Sequence, residues 1–269
     1  MSANYLTSLN SICMMNLSEK TLMEFFHFLE KELERCLTNI RTGVCNLKKY
    51  DELPTDLVQR YYEEAKQVTA KYFSFIPSPV SIKSTSEDIM GPYYLDNTFV
   101  FNPSNSVMKS DVLKCVILHE TCPGHHLMFN YMDQHNLPID DNIAFIEGWA
   151  LYAESLCDKK DECKYFMSRL IRIVRSLADI YLNYFGRDKD TVMTFFKKYN
   201  HLMHLDLQKE FTRLQEKAGY NVCYTLGEQW FFKLRREYRK AHPEKSIKEF
   251  HEWILSHGVI PFTQIAKLV

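Results

Sequence analysis

"HETCPGHH", residues 119–126, is the stretch on which the reading of this chain turns. It opens as helical zinc-hydrolase motifs do, with His119 followed at once by Glu120. Such a motif puts its second histidine one helical turn on, at position 123. That position is Pro123, and histidines return only at 125 and 126. Pro123 has no N–H, so the helical bond from residue 123 to the carbonyl of His119 cannot form. Gly124 accepts backbone angles that other residues avoid. Together they should bulge or break the helix, which offers a physical route for His125 to return to the side of His119. The alternative is a new helix start carrying two histidines and no ion.

A catalytic zinc uses three protein ligands and keeps one position for water. Past His125 comes "IEGWALYAESL", residues 146–156. Glu147 and Glu154 are two helical turns apart and share one face. One such carboxylate can ligate and the other can orient a ligand histidine. Glu147 is taken as the ligand, with Glu154 behind it or on substrate. Glu120 takes the place of the general base that acts on water in the unbroken motif. Cys122, inside the motif, is read as a small buried residue; a ligand or redox role is the alternative.

Outward from the motif, the chain reads as helices. Ser18 is an N-cap for a stripe of Leu22, Phe25, Phe26, Leu29, Leu33 and Cys36. Leu57, Tyr61, Ala65, Val68 and Tyr72 repeat the pattern. Residues 73–92 hold three of the nine prolines and read as an irregular connector. "YYLDNTFVFNP", ended by Pro103, reads as one strand. Helices are expected again from Ser110 to Glu120 and over 139–158, 163–185, 189–200, 204–218 and 224–241. A last helix has a capping box of Ser246 and Glu249 and a stop at Gly258. The reading is one mainly α domain over 1–269 with a small β element. Residues 110–158 form the metal-binding core, and 204–269 a C-terminal helical part that contributes to the site.

Composition excludes other classes. The formal net charge is −1 with no basic cluster, which argues against nucleic acid. No stretch reaches the roughly 18 uncharged apolar residues of a membrane span. The first residues, "MSANYLTSLNSICMMNLSEK", lack the charged and apolar regions of a secretory signal. The eight cysteines, Cys13, Cys36, Cys45, Cys115, Cys122, Cys157, Cys163 and Cys223, are scattered without a CxxC pair. They are expected as reduced thiols in a cytoplasm.

"HETCPGHH" followed by "EGWALYAE" resembles the hallmark of domain of unknown function 885, a family of predicted zinc hydrolases with HExxPGHH and then EGWAxYxE. "YTLGEQWFFKLRREY" and "EFHEWILSHGVIPFTQI" resemble that family's closing segments, so that the resemblance covers roughly residues 60–269. It implies a gluzincin-like helical metallohydrolase, with His119, His125 and Glu147 on zinc and Glu120 as base. It further implies oxyanion donors at Tyr224 or His251, and a substrate carboxylate on Arg235. The structural alternatives are a core aromatic at 224, a helix-surface histidine at 251 and a helix ion pair at 235. Family members are about twice this length, and the chain corresponds to their C-terminal half. It departs from them at Met128, where glutamine is usual, and at "AGYNVCY", which replaces a Pro-Gly-Gln run.

The expected function is zinc-dependent hydrolysis of an amide in a peptide or peptide-like small molecule, with one zinc and iron or manganese as other candidate ions. Two other readings stand beside it. A non-haem iron or dimetal oxidase would draw on His126, Glu154 and His251 as spare ligands. An inactive relative would serve as a partner subunit, although retention of both His119 and Glu120 argues against that.

Overall fold

A computed structural model describes residues 2–42, 50–54, 56–89, 91–105, 108, 110 and 112–269. The protein is mainly helical, with one small sheet. The helices are α1 (Ser2–Cys13), α2 (Glu19–Thr42), α3 (Leu57–Tyr72), α4 (Leu113–Glu120), α5 (His125–Gln134), α6 (Ile143–Glu154) and α7 (Glu162–Asp179). They continue with α8 (Lys189–Met203), α9 (Leu207–Glu216), α10 (Tyr220–Ala241), α11 (Ile247–Leu255) and α12 (Phe262–Ile265).

Two glycines let α6 and α10 touch backbone to backbone. A Cβ on Gly148 would lie 2.4 Å from the Cα of Gly227, and one on Gly227 would lie 1.7 Å from the carbonyl oxygen of Ala144. Around the crossing, Phe145, Trp149, Phe231 and Phe262 are fully buried with ring centroids 5.0–5.5 Å apart. This is the arrangement that brings the start of α10 beside Glu147. Gly227→Ala must push the helices apart. It should lower stability by at least the roughly 1–3 kcal/mol typical of overpacking, read as a fall in thermal midpoint. An unchanged midpoint would show that the crossing yields cheaply.

Buried charges join the surrounding helices. On α7, Arg169 donates from Nε to Glu228 of α10 (2.8 Å) and from Nη1 to Glu32 of α2 (2.5 Å). Tyr165 donates to the other oxygen of Glu228 at 2.8 Å. Three helices are thus held by one cation shared between two carboxylates, which offsets the cost of burying the charges. Asp179, at the end of α7, accepts from the backbone N–H of Gly219 (3.0 Å), Tyr5 (3.2 Å) and Asn183 (3.0 Å). Gly219 has φ +85°, a left-handed conformation suited to glycine. This anchored turn sets where α10 begins. On α4, the buried Lys114 is held between Glu64 and Asp161.

The sheet has the order β1 (Ser81–Ser84), β3 (Thr98–Phe101), β2 (Tyr93–Leu95), with β1 and β3 parallel and β2 and β3 antiparallel. The single strand expected at 93–103 is a hairpin. Asp96 and Asn97 have φ of +46° and +58°, the two-residue turn that Asn and Asp favour. β1 lies inside the stretch read as an irregular connector. Helices α1 and α5 were also not expected. The capping box of Ser246 and Glu249 is present, and Gly258 (φ +77°) packs against Pro138.

Candidate metal centre

The Pro-Gly step ends one helix and starts another. Helix α4 stops at Glu120 and α5 begins at His125, with a cis bond between Cys122 and Pro123. Between them, Gly124 donates its N–H to Leu118 (2.9 Å) and Leu127 donates to Thr121 (3.3 Å). Gly124 has a φ of −77°, outside the left-handed region, and the demand for glycine there is one of space. A Cβ there would sit 1.9 Å from the carbonyl oxygen of His119. The indole of Trp149 donates to the carbonyls of Pro123 (3.0 Å) and Gly124 (3.3 Å), which pins the bend to α6.

The bend brings His119, His125 and Glu147 together. One ligand atom from each lies within 4.8 Å of the others, and all three residues are buried. Oε2 of Glu147 lies 3.4 Å from Nε2 of His119 and 3.5 Å from Nε2 of His125. Two donors at about 2.0–2.1 Å from a tetrahedral ion stand about 3.3–3.4 Å apart. The donor set and the two edges from Glu147 therefore fit a tetrahedral ion such as zinc. Among the described residues this is the one cluster of three or more His, Cys, Asp or Glu with such spacing.

A family model described as "Bacterial protein of unknown function (DUF885)" matches residues 14–269. The chain belongs to the DUF885 family. The match begins well before residue 60 and covers nearly the whole chain, more than the motifs alone indicated. Two solved structures share the fold. One, a protein from Colwellia psychrerythraea described as a putative lipoprotein, is 20% identical over 99% of this chain and 54% of its own, with a TM-score of 0.82. The other, described as a putative lipoprotein of unknown function from Shewanella oneidensis, is 16% identical over 99% and 59%, with a TM-score of 0.70. This DUF885 chain therefore spans little more than half the length of either. No curated protein gives a significant match.

A second ring of residues orients the ligands. Nδ1 of His119 donates to Oε1 of Glu154 at 2.9 Å, which leaves Nε2 of the neutral ring with its lone pair toward the cluster. Arg172 of α7 stands 3.5 Å from the same Glu154 oxygen and donates to Ser168 at 2.9 Å. Tyr220 donates to Oε1 of Glu147 at 2.5 Å. Tyr224, one turn on, lays its ring nearly parallel to His119, with centroids 6.0 Å apart. Tyr220 and Arg172 were missed from sequence. Tyr220 had a signal, four residues before Tyr224 on the same face; Arg172 had none.

Burial alone would lower the pKa of His119, but Glu147, Glu154 and Glu120 raise it to about 9. Burial pushes Glu147 up, yet its interactions with His119 and His125 hold it well below the usual carboxylate range. In the metal-free protein, His119 thus keeps a proton. That contribution to stability is complete below the unfolded histidine pKa of about 6.5 and is lost as pH rises through about 9. A cation that binds Nε2 must displace this proton. Apparent zinc affinity should therefore rise about tenfold per pH unit up to about pH 9, followed by competition with a chromophoric chelator. A flat profile from pH 6 to 8 would remove His119 from the ligand set.

Three expected site residues lie elsewhere. His126 donates from Nε2 to the carbonyl of Ser78 (2.6 Å), and its Nδ1 lies 3.2 Å from the Tyr94 hydroxyl. It ties α5 to the connector and the sheet. His251 donates to the carbonyl of Tyr72 (2.8 Å), accepts from Tyr152 (2.8 Å) and stacks on Phe73 at 4.3 Å. Both of its nitrogens are used, and burial pushes its pKa down to about 3. It is a core histidine, neither an oxyanion donor nor a surface residue. Arg235 reaches Tyr152 at 3.5 Å, in that same core network. Neither the spare-ligand set of a dimetal oxidase nor the carboxylate anchor at 235 is assembled. His126→Ala should accordingly leave zinc stoichiometry unchanged by elemental analysis; loss of the ion would mean that the bend turns the other histidine inward.

No helix is long and apolar enough to cross a membrane, among the described residues. Cys13, Cys36, Cys115, Cys122, Cys157 and Cys223 are free thiols, and Cys122 is fully buried as expected. Cys163 is not among these free thiols. Cys45 lies outside the described residues.

Proposed function

We propose that this protein is a gluzincin-like, zinc-dependent hydrolase acting on an amide bond of a peptide or peptide-like small molecule. One observation carries the reading. His119, His125 and Glu147 converge, with Glu147 at tetrahedral edge distance from both histidines, and Glu120 follows His119 as the last residue of α4. When bound, zinc polarises a carbonyl and lowers the pKa of water towards about 7. Glu120 is the partly exposed carboxylate of the site and accepts the proton of the attacking water, then returns it to the leaving nitrogen. Burial, with the nearby Glu147 charge, raises the pKa of Glu120 above its ordinary value against the pull of His119 and His125. Its base form is therefore lost as pH falls through that raised pKa. Burial likewise raises the pKa of Tyr220 and Tyr224, so both hydroxyls stay protonated; the Tyr220 proton serves Glu147, which leaves Tyr224 as the candidate donor to a developing oxyanion. Glu154 and Arg172 hold His119 in the required tautomer.

An iron oxidase could use the same two-histidine, one-carboxylate set. Glu120 beside the ligands favours hydrolysis, because a proton acceptor on water is what amide cleavage requires. The test is incubation of the zinc-loaded protein with a mixture of short peptides, following new amines by mass spectrometry. Cleavage that stops with chelator and with Glu120→Gln supports the proposal. Zinc-loaded protein that leaves every peptide intact would count against it.

A further inference from the structure

The two oxygens of the buried Glu147 have different partners. Oε2 faces both histidines, 3.4 Å from Nε2 of His119 and 3.5 Å from Nε2 of His125. Oε1 accepts from the hydroxyl of Tyr220 at 2.5 Å. That donor is itself held from several sides. Tyr220 opens α10 directly after Gly219, whose N–H is bound by the two oxygens of Asp179 at 3.0 and 3.1 Å. The ring of Tyr224 meets the Tyr220 ring edge-on, with centroids 5.7 Å apart. Arg213, hydrogen-bonded to Tyr224, lies 5.6 Å from the Tyr220 centroid, and Nζ of Lys217 lies 5.4 Å from it. The hydroxyl leaves the carboxylate only by breaking these contacts.

A carboxylate ligates through one oxygen or through both. The two oxygens share one carbon, so a cation drawn to Oε2 also attracts an Oε1 that has no other partner. A catalytic zinc works with three protein donors and one open position. A second oxygen from Glu147 would crowd that position. We propose that Tyr220 is a positioning residue that limits Glu147 to a single ligating oxygen and so keeps the fourth position free for water or substrate. The inference rests on the metal centre of the hydrolase reading. Tyr220 acts through Glu147, by engaging the oxygen that points away from the histidines. A hydrogen bond that merely satisfied a buried oxygen would add stability and leave the number of donors unchanged, which separates the two roles.

The test is cobalt(II) substitution in the native protein and in Tyr220→Phe, which keeps the ring and its packing and removes only the hydroxyl. The visible bands of cobalt(II) are strongest at four-coordinate sites and weaken as donors are added, so they report the coordination number. The native protein should show the strong band, and Tyr220→Phe should lose more than half of its intensity while still holding the ion. Thermal unfolding of the metal-free proteins reads the structural contribution separately. A variant that is less stable yet keeps the full band overturns the proposal. X-ray absorption of the native zinc-loaded protein gives a second measurement that does not depend on the variant folding. It should count three protein donors and one water, and a second Glu147 oxygen at bonding distance overturns the proposal. The two readings fail differently. A native chain that takes up neither cobalt nor zinc removes the metal centre, and the role of Tyr220 with it; a loaded native chain whose band is unmoved in Tyr220→Phe removes the role of Tyr220 alone.

Discussion

Glu120→Gln is expected to keep its zinc and to lose two to four orders of magnitude in turnover, the roughly 10²–10⁴-fold usual for general-base catalysis. The substitution keeps the length and shape of the side chain and removes only its capacity to take a proton. Glu120 is not among the converging ligand atoms, so the ion should stay. It is the last residue of α4, immediately before the bend, and its backbone position is set by the same turn that sets His119. The raised pKa brings its base form closer to the operating pH, where a general base works best. Zinc content and single-turnover rate measured on one preparation check both halves. Turnover near the native rate would take Glu120 out of the mechanism, and loss of zinc would make it a ligand.

Gly124→Ala is expected to cost zinc affinity by more than about 100-fold, beyond the 10–100-fold of losing an outer-shell partner. The added Cβ would fall 1.9 Å from the carbonyl oxygen of His119 and 2.5 Å from that of Leu118. Both obstacles are backbone atoms of α4, so no side chain can swing away. The bend must open, and Trp149 must give up its bonds to the carbonyls of Pro123 and Gly124. Pro123→Ala together with Gly124→Ala removes the remaining obstacle to a continuous helix. A straight helix would set His119 and His125 about 120° apart. Circular dichroism and metal content together decide the matter. Undiminished zinc affinity in a folded variant would mean that a different pair of residues holds the ion.

The core of the site was legible because it is local. Glu147 and Glu154 sit at helical spacing within one segment, and Pro123 and Gly124 announce a break between two histidines. The same holds for the capping box at Ser246. What escaped depends on contacts between distant segments. The reason for Gly148 and Gly227 appears only when α6 lies on α10. Arg172 sits on an amphipathic helix that looks like any other until Glu154 stands opposite. His251 and Arg235 were misplaced because a family pattern names residues without saying which face of a helix they occupy. The hairpin at Asp96 and Asn97 was hidden by β-prone residues on both sides of a two-residue turn. Helix α1 did carry a stripe, Tyr5, Leu9 and Cys13, all buried, in a stretch read only for its lack of a signal.

Elemental analysis of the purified protein after zinc loading and desalting tests the central claim most directly. The native chain should hold one zinc, while His125→Ala and Glu147→Gln should hold none and His126→Ala should hold one. A native chain without zinc, or a His125→Ala variant that keeps its ion, would contradict the metal centre described.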